Sequence, residues 1–136
     1  MQADLERIVK SFGADSGTIH LLEGGVLVLK AHHGIPPQVV EIVRTVPVGK
    51  GMAGLCAERN EPVSSCNIQT DTTGDVRPGA KATAQQGAVV VPIRDAAGQA
   101  RGALGIAVRR EHDYSDEETA RLLDEAAKLD AAQTAG

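Results

Sequence analysis

At 136 residues the chain has the length of one compact domain that buries roughly two-thirds of its unfolded surface in a single core. A composition of 42% apolar and 24% charged residues excludes a disordered segment or a membrane span as the bulk of the chain. The net charge of -4 leaves no basic footprint for nucleic acid and no polybasic patch for an anionic membrane.

The elements follow in chain order. Leu5, Ile8, Val9 and Phe12 fall at three- and four-residue spacing, which predicts an amphipathic helix over about 2–12, ended by Gly13. Two apolar runs, Ser16 to Leu22 and Val26 to Ala31, flank Glu23-Gly24-Gly25 and read as a β-hairpin. Pro36 and Pro37 then mark a helix start with Val39, Val40 and Val43 on its buried side. VPVGKGMAGLCAERNEPV carries glycines at 49, 51 and 54 into a helix-prone stretch that stops near Asn60 and Pro62. Residues 67–80 are polar with Gly and Pro and read as a long loop, the candidate lid. Ala88 to Ile93 and Ala103 to Arg109 predict a second hairpin across Arg94 to Gly98. The capping box Ser115-x-x-Glu118 then opens a closing helix over about 115–133, with Leu122, Leu123, Ala126, Ala127 and Leu129 on its apolar side.

These elements predict an α+β fold: one domain over 1–136, with a core over about 14–110 built as an antiparallel sheet with helices on its faces. Alternation along the first strand directs Ile19 and Leu21 to the terminal helices and Ser16, Thr18 and His20 to the opposite face. By the same count Ala88, Val90, Gly105 and Ala107 share that second face, where their small size leaves space for a small molecule. The two terminal helices are also what a homodimer uses to build a helical bundle.

In order and spacing, SGTIHLLEGGVLVLKAHHG, VGKGMAGLCAERNEPV, GAVVVPI, GALGIAV and YSDEETARLL resemble the GAF domain family over about Gly13 to Ala127. The resemblance implies a five- to six-stranded antiparallel sheet of core order 2-1-5-4-3. It places the terminal helices on one face and, on the other, a pocket covered by short helices and a loop. It further implies a non-enzymatic small-molecule sensor and dimerisation module of cytoplasmic signalling, with a signalling output domain as a candidate partner. Ser16, Thr18, His20, Met52, Asp71, Ala88, Val90, Gly105 and Ala107 are its expected pocket residues.

Within that family the chain is similar to the free methionine-(R)-sulfoxide reductases, which need a nucleophilic cysteine, a resolving cysteine and acidic groups. Ala53 stands where that subfamily carries a cysteine, and Ala88, Gly105 and Ala107 stand where its carboxylates belong. A redox pair of Cys56 and Cys66 is the remaining route to such chemistry, against the plainer role of two buried small apolar residues. His20 either binds a ligand, titrates, or is a satisfied core histidine. His32 and His33 are adjacent on a strand end, point to opposite sides and lack a third ligand, so no metal is expected. Residues 80–86 contain no His or Cys to hold haem or bilin, and Arg109, Arg110, Tyr114, Asp116 and Glu117 match only half of a cyclic-nucleotide signature. No cofactor is expected, and VGKGMAG lacks the βαβ setting of a dinucleotide fingerprint. A third possibility is an interaction module whose pocket is filled by its own side chains. A cytoplasmic location follows from two cysteines and an N-terminus with no apolar signal core.

Overall fold

The computed structural model describes residues 1–65 and 86–135, with side chains up to residue 129. Its elements are α1 (Gln2–Ser11), β1 (Ser16–Glu23), β2 (Val26–His33), α2 (Pro37–Val43), β3 (Thr45–Pro47), α3 (Gly51–Arg59), β4 (Val63–Ser65), β5 (Gly87–Arg94), β6 (Ala100–Val108) and α4 (Asp116–Ala135). The strands form one antiparallel sheet of order β3-β2-β1-β6-β5-β4. Setting β3 aside leaves the expected order 2-1-5-4-3. The sixth strand falls within the expected five to six, but its place had no local signal: three residues, paired to β2 through Val26–Pro47, Leu27–Val46 and Val28–Thr45, carry no alternation long enough to read.

Both hairpins form where the sequence places them. Gly24 and Gly25 turn the first with φ of 61° and 85°, a backbone region that a type I′ two-residue turn demands at both positions. The second closes around Asp95, whose carboxylate accepts from the backbone N–H groups of Ala97 and Gln99 at 2.9 and 3.0 Å. At the start of α4 the capping box is complete: Glu118 N–H donates to Ser115 Oγ at 3.1 Å, and Ser115 N–H donates to Glu118 Oε1 at 3.0 Å. Glu118 also holds His112 Nε2, and that carboxyl lies below its ordinary range chiefly because the Ser115 backbone N–H donates to it.

One face of the sheet is the main core. Ile19 and Leu21 of β1, Val89, Val91 and Ile93 of β5, and Leu104 and Ile106 of β6 pack against Leu5, Ile8 and Val9 of α1 and Leu122, Ala126 and Leu129 of α4. Their burial supplies most of the hydrophobic drive for folding. Arg7 bridges the two helices to Glu125 at 2.9 Å, and the Arg121 guanidinium lies 4.6 Å over the Phe12 ring. The apolar surface of α1 and α4 is therefore spent on the sheet; among the described residues the exposed large apolar side chains are Ile42 and Val48, on neither terminal helix.

Between β1 and β2 the register slips. Ile19 faces Ala31 but His20 faces Leu29, so Lys30 is an extra residue in the ladder, a β-bulge. Ala31 accordingly joins the main core, while Leu29 falls in the row of His20. In α2, Val39 is buried but Val40 and Val43 are only half-buried, a weaker inner face than the three valines suggest.

Candidate functional site

The second face of the sheet is built from the alternate positions of the same strands. Across β1, β6 and β5 the register lines up three rows: Ser16–Ala107–Ala88, Thr18–Gly105–Val90 and His20–Ala103–Pro92. Ser65 and Val63 of β4 extend the first two rows, opposite Ala88 and Val90. Apart from His20, Val63 and Val90 this floor consists of hydroxyls, small methyl groups, a proline and a glycine. A Cβ on Gly105 would come within 3.2 Å of Val90 Cγ2 and 3.4 Å of Thr18 Oγ1, so larger residues would crowd the middle row.

Helix α3 lies on this floor. Met52 and Cys56, four residues apart and so on one side of the helix, pack with Val63, Ala88, Val90 and Ala103, flanked by half-buried Ala53, Leu55 and Ala107. Both ends of α3 are fixed. At its start Gly54 sits so close to β3 that a Cβ would lie 2.4 Å from the Pro47 carbonyl oxygen, and Gly49 N–H donates to Gly54 O at 2.8 Å. At its end Asn60 takes the left-handed conformation with φ of 54°. Its carboxamide donates to Gly98 O at 2.8 Å, and Arg94 donates to Asn60 Oδ1 at 3.0 Å and to Asn60 O at 2.8 Å. The helix is thus clamped to the β5–β6 hairpin.

Of the residues singled out by sequence, Ser16, Thr18, His20, Ala88, Val90, Gly105 and Ala107 share this face, and Met52 covers it from above. Asp71 and Cys66 lie outside the described residues, as does the polar stretch of residues 67–80. Cys56 is wholly buried, and burial pushes its thiol up to about 12, with the Arg94 charge opposing and Glu61 adding to the rise. It packs as a small residue of the α3 contact, where burial disfavours its thiolate.

His20 is the one strongly polar side chain in the floor. Its Nε2 lies 2.8 Å from the backbone oxygen of Val43 at the end of α2, and since a carbonyl only accepts, the Nε2 carries the proton. Burial holds the imidazole below its ordinary value, against the opposing effect of the Val43 hydrogen bond, so the ring is neutral. Nδ1 is then a bare acceptor, and among the described residues it is the buried side-chain nitrogen or oxygen atom without a partner. Sequence placed His20 on this face, but the tie to Val43 joins residues 23 apart and left no signal in the pattern.

Elsewhere, an open cleft of about 430 Å³ is lined by Met1, Leu21, Leu22, Glu23, Lys30 and Arg101, on the far side of β1 from the α3 floor. Lys30 is ion-paired with Glu23 there at 2.8 Å. His32 and His33 are exposed, and His32 spends its backbone N–H and carbonyl on the Gln2 side chain. Among the described residues no three His, Cys, Asp or Glu side chains gather as a metal site, and no helix is long and apolar enough to cross a membrane.

The fold has close counterparts among solved structures. A GAF domain from a phosphoenolpyruvate-protein phosphotransferase of Coxiella burnetii is similar at 25% identity, covering 96% of this chain and 77% of that one with a TM-score of 0.80. Type II free methionine-R-sulfoxide reductase from Thermoplasma acidophilum is similar at 22% identity, with 96% and 87% covered and a TM-score of 0.78. The free methionine-R-sulfoxide reductase of Neisseria meningitidis, solved with its substrate, is similar at 17% identity, with 96% and 73% covered and a TM-score of 0.77. No curated protein matches by sequence. The family model of the GAF domain matches residues 1–131, and the chain belongs to the GAF domain family.

Proposed function

We propose that the chain is a non-enzymatic, small-molecule-sensing and dimerisation module of cytoplasmic signal transduction, working on an attached output domain. The observation that carries this reading is the chemistry of the α3 floor. The positions that would hold the nucleophile and acids of the reductases are Ala53, Ala88, Gly105 and Ala107, and Cys56, which packs with Ala88, is buried with its thiol pushed up to about 12. Neither an attacking thiolate nor a proton-handling carboxylate stands among the described floor residues. What remains is a floor of small side chains with one fixed acceptor, chemistry suited to binding. A dimer through α1 and α4 would use their polar outer faces, since their apolar stripes are occupied.

Two measurements test the reading. The purified chain incubated with free methionine-R-sulfoxide and dithiothreitol should form no methionine above the protein-free control; turnover that disappears in Cys56→Ser or Cys66→Ser would establish the reductase instead. In a Cys66→Ser background, iodoacetamide should modify Cys56 far more slowly in the folded than in the unfolded chain. A thiol moved from 9.0 to about 12 has roughly a thousandfold less thiolate at neutral pH. The second reading, an interaction module with a self-filled pocket, draws on the packing of Met52 and Cys56 onto Ala88, Val90 and Ala103. Native mass spectrometry separates the two, because a dimer carrying extra mass that is lost on denaturation fits the sensor and a bare species fits the module.

A further inference from the structure

We propose that His20 Nδ1 is the polar anchor of the α3 face and selects uncharged ligands that present an N–H or O–H donor; the proposal rests on the reading of that face as a binding face. The argument starts from the tautomer. Val43 O can only accept, so the ring proton is committed to Nε2 and Nδ1 can only accept. Its natural counterpart is a donor. The floor around it does not supply one: Ala103 lies directly across on β6, with Pro92 beyond it, and neither side chain has a donor. Leu29, across on β2, has none either.

The neutrality of the ligand follows from what surrounds the ring. Among the described residues the buried polar side chains are Ser16, His20 and Ser65, and no Asp, Glu, Lys or Arg is among them. Against the described residues an ionic ligand would be desolvated without a counter-charge, which costs far more than one hydrogen bond returns. Its compactness follows from the rows themselves, where Ala88, Ala103, Gly105 and Ala107 give single methyl groups or less. A buried acceptor left unmade is expensive, so a ligand that supplies the donor is favoured over an isostere that does not, at the level of about fivefold or more.

The test uses the full chain with ¹⁵N-labelled histidine and two probes of nearly the same shape, acetamide with N–H donors and acetone, in which a methyl group replaces the NH₂. Acetamide should shift the His20 Nδ1 resonance and bind at least about fivefold more tightly than acetone. His20→Gln, whose carboxamide can both donate to Val43 and present an oxygen, should keep the preference, and His20→Leu should lose it. Should His20→Leu fail to fold, the Nδ1 shift in the wild-type chain and the Gln variant still decide. Equal binding of both probes, seen at the Ala103 and Gly105 amides while Nδ1 stays still, overturns the anchor and leaves the sensing function standing. An Nδ1 already hydrogen-bonded in the free protein and unmoved by acetamide also overturns it, since a bound water would then be the partner. Silence of Nδ1 and of those amides with both probes overturns the anchor together with the binding face.

Discussion

The two faces of one sheet, cut from the same strands, carry opposite side-chain sizes. Along β6 the alternation is plain: Leu104, Ile106 and Val108 are fully or nearly fully buried aliphatics, while Ala103, Gly105 and Ala107 between them are small. Leu104 and Ile106 pack under α1 and α4 in the main core; Ala103 and Ala107 lie under α3 in a floor with little hydrophobic area of its own. One strand thereby serves two faces of opposite side-chain size by a step of a single residue.

The sharpest way to break that division is Leu104→Ala. Leu104 is fully buried in a central strand, and its truncation should cost about 3 kcal/mol, whereas Thr18→Ala on the other face, at a half-buried position, should cost less than about 0.5 kcal/mol. Urea midpoints at constant m-value measure both; similar losses at the two sites would show that the faces share the work of stability. Next in size is Gly54→Ala, whose methyl would meet the Pro47 carbonyl oxygen at 2.4 Å. It should cost about 1–3 kcal/mol and shift the amides of α3 and β3 while leaving those of α1 and α4 in place. A shift spread evenly over both faces would contradict the local seat of α3.

The smallest effect is the most specific to the α3 face. Because burial lowers the His20 pKa from 6.5, the unfolded chain takes up that proton more readily than the folded one. The neutral ring's contribution is fully present above pH 6.5 and declines as the pH falls below it, with a slope of at most about 1.4 kcal/mol per pH unit. Stability compared at pH 7.5 and 5.5 should show this slope in the wild type and a shallower one in His20→Gln. Equal slopes would assign the acid sensitivity to other groups.

Much of this arrangement is legible in the chain itself. The glycine pair at 24 and 25, the Ser115–Glu118 box and the period-two alternation of β1, β5 and β6 are local signals, and each has a local structural outcome. The family motifs added the strand order, which no local signal contains. The features that escaped are those with partners distant in sequence: the β3 pairing, the contact of Gly54 with Pro47 in a backbone detour, the Arg94–Asn60 clamp and the commitment of His20 to Val43. A residue type announces what it can bond, but only the folded chain decides with which group. The apolar stripes of the terminal helices show the converse, since their sequence pattern is equally consistent with covering a sheet or a partner, and the sheet takes them.

The extra residue Lys30 acts on β2 as an insertion acts on a reading frame. Before it, Leu27 and Leu29 are in phase with His20; after it, Ala31 is in phase with Ile19, so one strand is read in two frames against a partner read in one. Removing that single residue would not shorten the strand so much as mistranslate it in space, turning either Ala31 out of the main core or Leu29 out of the row of His20.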